Sequence, residues 1–199
     1  TPPVGAAIST LSAEIVRLRE DLDRSRSRVA FLESFADQHP FLPILNRRAF
    51  ARELGKTLTH AGALGTSASL LCLHITTAEA IRRQYGRQAL DDSLAYVCNI
   101  LTEHLHPTDI VGNLGGADFG IVLLVADKAA ATVKGRTLAE AITGHLYRWE
   151  DNHISVGVAW GSLVLEPEAE AAAVMAAVDG QLLDMAGDGG PDAVLEKKA

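Results

Sequence analysis

Cysteine is scarce in this 199-residue chain: Cys72 and Cys98 are the only two. Both sit in apolar stretches, LLCLHI and LAYVCNIL, which read as buried free thiols in a reducing compartment. Positive charge is short as well, with 18 Lys and Arg against 25 Asp and Glu, a net charge of −7. That balance speaks against a phosphate-backbone partner, so no nucleic acid is expected. No apolar run approaches the ~18 residues of a membrane span, and no signal peptide opens the chain. The segment is therefore expected to make no membrane contact and to lie in the cytoplasm. It begins at Thr1 rather than methionine, which suggests a piece of a longer protein.

Chemistry-bearing clusters are equally sparse. His104 and His106 are two residues apart and diverge on a helix. His39, His60, His145 and His153 have no Cys, Asp or Glu at ligand spacing. No Ser-His-Asp or Cys-His arrangement is visible locally. No metal site and no cofactor are expected. What remains is 48% hydrophobic and 22% charged, an ordinary globular composition that can build a core.

The amino-terminal segment has its own pattern. Leu11, Ile15, Leu18, Leu22, Ser25, Val29, Leu32 and Ala36 recur at alternating spacings of four and three, a heptad seam. The stripe is narrower than the face of a helix packed on its own domain. It predicts a parallel two-stranded coiled coil over residues 1–36, about 39 Å from the first heptad residue to the last. A homodimer through this helix is expected.

Pro40 and Pro43 end that helix. Asn46 then caps a second one running to about Gly62. SASLLCLHI reads as a central strand buried on both faces. Thr76 and Glu79 have the spacing of a capping box, Gly86 breaks the next helix, and another runs from about Ala89 to Leu105. DIVGNL and DFGIVLLV form two strands joined at Gly115-Gly116. A helix is predicted across Asp127 to Trp149, then a strand over HISVGVAWG. Pro167 opens a last helix, with Val174, Val178, Leu182 and Met185 on one face, and AVL adds a possible edge strand. The hairpin inside a helix-separated series excludes a purely parallel sheet. The fold class is α/β (α+β): a mixed, mainly antiparallel central sheet flanked by helices.

Four ordered stretches, HPFLPILNRRAF, LHITTAEAIRRQYGRQALDD, PTDIVGNLGGADFGIVL and ISVGVAW, resemble the GGDEF domain of bacterial diguanylate cyclases. The resemblance implies a nucleotide-cyclase-like GGDEF fold over 37–199. Its signature would fall on Gly115, Gly116, Ala117, Asp118 and Phe119. Active members condense two GTP molecules to cyclic di-GMP with Mg²⁺. The family's two carboxylate ligands would fall on His74 and Ala117, neither of which supplies an oxyanion. Its guanine-reading Asn and Asp would fall on Arg82 and Asp91. Phosphate-gripping Lys and Arg would fall on Ala186 and Gly190, and the inhibitory Arg-x-x-Asp on His106 and Asp109.

Loss of the metal alone would slow phosphoryl transfer by on the order of a thousandfold. The resulting expectation is a degenerate, catalytically inactive domain, not an enzyme, that acts as a dimeric signalling and protein-interaction module in a cyclic-di-GMP-related pathway, with a protein partner. The alternatives are a non-hydrolysing receptor for GTP or cyclic di-GMP, and a weak diguanylate cyclase.

Overall fold

The computed structural model describes residues 4–124, 126–166, 168–187 and 194–195. The chain divides into two units, Thr1–Asp37 and Gln38–Ala199. The first is a single helix, α1, Val4–Asp37. Of its seam, Ile15, Leu18, Leu22 and Val29 are each about half exposed to solvent. The side chains of Leu11 and Leu32 lie outside the described residues. No described helix is long and apolar enough to cross a membrane.

The second unit opens with α2, Arg47–Leu64. Asn46 caps it by accepting from the Ala49 N–H, and left-handed Gly65 ends it. The strand β1 follows, Ala68–Ile75. Helices α3, Ala78–Tyr85, and α4, Arg87–His104, are separated by Gly86 at φ 91°. Strands β2, Ile110–Gly115, and β3, Asp118–Leu124, form the expected hairpin. After α5, Lys128–Thr143, come β4, Tyr147–Trp149, β5, Asn152–Ile154, and β6, Val158–Leu165. The last elements are α6, Ala171–Gly187, and β7, Val194–Leu195.

The main sheet has the order β2-β3-β1-β6-β7, antiparallel except for the parallel β6–β7 pair. β1 is its middle strand, which explains its unbroken apolar run. Leu71, Leu73 and Ile75 enter one core cluster with Leu94, Val97, Leu101, Leu138 and Ile142 of α4 and α5. Leu70 and Cys72 enter the other with Phe50, Leu54 and Leu58 of α2 and Val178, Leu182 and Met185 of α6. Each fully buried leucine of this kind contributes roughly 1.5–3 kcal/mol. Both thiols are buried, and burial pushes Cys72 up to about 12 and Cys98 to about 11. They pack as neutral groups.

Three local expectations are corrected. The helix predicted across Asp127 to Trp149 stops at Thr143, because its tail is drawn into the β4–β5 hairpin. Tyr147 stacks on Tyr96 at 4.8 Å, Trp149 Nε1 donates to Asp92 at 3.0 Å, and Glu150 turns the chain at φ 50°. The strand predicted over HISVGVAWG is two strands, β5 and β6, interrupted at Gly157. The capping box does not form: Thr77, not Thr76, precedes α3, and its Oγ1 accepts the Gly157 N–H at 3.0 Å. Glu79 turns outward to Arg82 and Arg83 instead. Pro167 and Gly190 fall outside the described residues, and α6 begins at Ala171.

Candidate functional site

A cleft of about 710 Å³ opens where β1 ends and the β2–β3 turn rises beside it. The turn is built from its glycines. Gly115 at φ 133° and Gly116 at φ 54° occupy backbone conformations that L side chains avoid. A register shift between Asn113 and Gly115 kinks the strand into the turn. Buried Asn113 holds it: its Oδ1 accepts the Gly115 N–H at 3.0 Å and its Nδ2 donates to Gly116 O at 3.1 Å. Ile75 N–H donates to Ala117 O at 3.1 Å, which ties the turn to the end of β1.

Register between β1 and β3 sets His74 opposite Asp118. Their side chains meet, His74 Nδ1 to Asp118 Oδ1 at 2.7 Å. An ionised carboxylate only accepts, so the proton of this bond rides on Nδ1. The imidazole lines the cleft, whereas Ala117 offers it a methyl group.

The walls come from α3, α4 and the loop before α2. Arg82 lines one side, clamped by two bonds of 2.8 Å to Glu79. Those bonds and the Arg83 contact pull the Glu79 carboxyl down to about 2. Asp91 stands on α4 with its carboxylate partly exposed, 3.8 Å from Arg87 Nε. His39 and Phe41 complete the rim, with His39 lowered by burial and raised in part by Asp91. Ala186 closes it from the end of α6.

The structure thus brings His74, Arg82, Asp91, Gly116, Ala117 and Ala186 to one cleft. His106 and Asp109 lie elsewhere, closed on themselves: His106 N–H donates to Asp109 Oδ2 at 2.9 Å and the ring meets Thr108 Oγ1 at 2.7 Å. Phe119 is core, with no solvent exposure. Sequence reasoning passed over Asn113 and Phe41, and weighed His39 only as a metal ligand. Only the proximity of Asn113 to the two glycines hinted at its stapling role.

Among the described residues, no group of three or more His, Cys, Asp or Glu could hold a metal. The donor set does not fit Mg²⁺. That ion wants several hard oxygens in octahedral array, and here one Asp118 oxygen is committed to an imidazole.

Fold and cleft together define an α/β domain with a cleft beside a glycine hairpin. The chain belongs to the family described as "Diguanylate cyclase, GGDEF domain", which matches residues 42–190. The Probable diguanylate cyclase DgcE of Escherichia coli (strain K12) is 23% identical over 161 residues, 80% of this chain and 15% of that protein. This chain therefore spans a small part of such a relative's length. The coiled coil and GGDEF domain of DgcB from Caulobacter crescentus, solved in complex with c-di-GMP, superposes with a TM-score of 0.69 at 21% identity, covering 96% of this chain and 97% of that one. Diguanylate cyclase SiaD of Pseudomonas aeruginosa, solved with its activator SiaC, gives 0.74 at 18% identity, covering 96% and 76%. At these identities the likeness shows the shared fold.

The expectation that this chain is not an enzyme is corrected by these matches. The family is described by its cyclase activity, and the relative bears it in its name. His74 and Ala117 carry no carboxylate of their own. That does not remove the cleft, Asp118 or the turn.

Asn113→Ala is expected to destabilise the domain by about 1–3 kcal/mol, since it strips two hydrogen bonds from a buried turn. Urea unfolding of both proteins measures this, and an unchanged midpoint would show that the turn holds without its staple.

Proposed function

We propose that this chain is the diguanylate-cyclase-like module of a cyclic-di-GMP signalling protein, that its cleft receives a guanine nucleotide, and that α1 pairs two copies. The carrying observation is the cleft itself, with an available carboxylate, Asp91, on its wall and a glycine turn at its head. A carboxylate accepts from the adjacent N–H donors of a guanine edge, and the same groups are absent from adenine. Bare backbone at Gly116 leaves room for a phosphate chain to approach. The family identity and the c-di-GMP bound to the DgcB fold relative support the same class of ligand.

Calorimetric titration of the chain with GTP and with cyclic di-GMP tests this reading. Binding of at least one is expected, weakened about tenfold or more by Asp91→Ala, since a hydrogen bond to a charged group is worth roughly 1.5–3 kcal/mol. No heat and no thermal shift at millimolar nucleotide would refute it.

Pairing rests on the seam of α1. Ile15, Leu18, Leu22 and Val29 stay about half exposed in a single chain, and a second copy in heptad register would cover them. Replacing Leu18 and Leu22 together by Glu is expected to halve the mass measured by light scattering. A dimer that survives the double substitution would place the contact elsewhere.

A further inference from the structure

The cleft has little uncompensated positive charge to offer a phosphate chain. Arg82 is clamped by Glu79, and Arg87 Nε lies 3.8 Å from the Asp91 carboxylate, so each arginine of its walls already faces an anion. His74 stands at the head of the cleft beside Gly116. Its Nδ1 meets Asp118 Oδ1 at 2.7 Å, and Nε2 makes no hydrogen bond among the described residues. The ring is part-buried, with a fifth of its side-chain surface exposed. In the neutral ring, with the proton on Nδ1, Nε2 carries a lone pair, which repels a phosphate oxygen. In the imidazolium both nitrogens donate, and the Asp118 carboxylate then supports a cation. Ala117 beside it is a methyl group and brings no opposing charge.

We infer that His74 binds a phosphate oxygen of the nucleotide as an imidazolium, donating from Nε2, so that binding takes up one proton at this ring. The proton comes from solvent, and no bond to phosphorus forms or breaks. The inference rests on the nucleotide reading above and adds the side chain that meets the phosphate. Histidine ordinarily changes charge between about pH 5 and 8, so affinity falls as pH rises through that range. The charged groups around the ring leave it this role. Behind it, Asp118 of β3 is within electrostatic reach of Arg47 of α2, which is itself bonded to Asp179 of α6 at 2.6 Å. Glu79 and Arg82 of α3 oppose one another, as do Asp91 and Arg87 of α4. On β1 itself, burial pushes Cys72 up to about 12, so it stays neutral, and β6 on the other side of β1 carries no charged residue. His39, in the loop before α2, is lowered by burial and raised in part by Asp91, and its Nδ1 accepts the Phe41 N–H at 3.3 Å.

Calorimetric titration of the full chain with GTP at about pH 6 and about pH 8, repeated in buffers of different ionisation enthalpy, counts the proton. The wild type is expected to bind about tenfold or more tightly at the lower pH. It should also take up one proton more than H74Q, a comparison that subtracts the titration of the nucleotide's own terminal phosphate. H74Q should lose the preference for the lower pH, and H74K, with a fixed charge at the same position, should bind tightly at both. The wild type also gives a direct reading that does not depend on any variant. At a pH where the free ring is neutral, long-range ¹H–¹⁵N spectra of the GTP complex should show protons on both His74 nitrogens. Failure of GTP to bind at either pH, in wild type and H74K alike, would overturn the nucleotide reading. GTP binding of equal strength in wild type and H74Q at the lower pH, with Nε2 bare in the complex, would leave that reading standing and overturn this one. The same proton uptake in H74Q as in the wild type would assign the proton to another group and overturn it too.

Discussion

Register between β1 and β3 is the constraint on which the cleft depends. A strand's side chains alternate between faces, so a slip of one residue would send Leu71, Leu73 and Ile75 away from their cluster and move His74 off Asp118. Burial of β1 on both faces prevents that slip. The same register therefore secures the hydrophobic core and places a polar pair at the open end of the sheet. Core and site are consequences of one alignment.

Around that pair, each neighbouring element is held by a contact of its own. Asn113 shapes the glycine turn, the Ile75–Ala117 hydrogen bond ties it to β1, and Glu79 clamps Arg82 on the wall. Thr76 and Thr77 are pinned through Gly157, so the loop leaving β1 is positioned by β6 as well. The cleft is thus organised from the sheet outward. His74 and Ala117 sit on this scaffold and bring an imidazole and a methyl group to the cleft.

Much of the fold was legible because it followed from short-range chemistry. The apolar run of β1, the Asn46 cap, the break at Gly86 and the Gly115-Gly116 hairpin all express local rules. The β4–β5 hairpin did not, since its stability comes from Tyr96 and Asp92, some fifty residues earlier in the chain. Thr76 and Glu79 had capping-box spacing, but a distant glycine N–H claimed the neighbouring hydroxyl. In the site, motif order singled out His74, Gly116 and Ala117, which the structure brings to one cleft. The partnership of His74 with Asp118 was not readable, because residues forty-four apart meet only through strand register. Inferring lost catalysis from the residue types at two positions overreached, because the matching family and its relative are described as diguanylate cyclases.

The central claim is that Asp118 holds the His74 ring beside the cleft with its proton on Nδ1. Long-range ¹H–¹⁵N correlation spectroscopy of the imidazole nitrogens tests this most directly. The account predicts a protonated Nδ1 in the wild type that loses this preference in Asp118→Asn. A bare Nδ1, with the proton on Nε2, would contradict it.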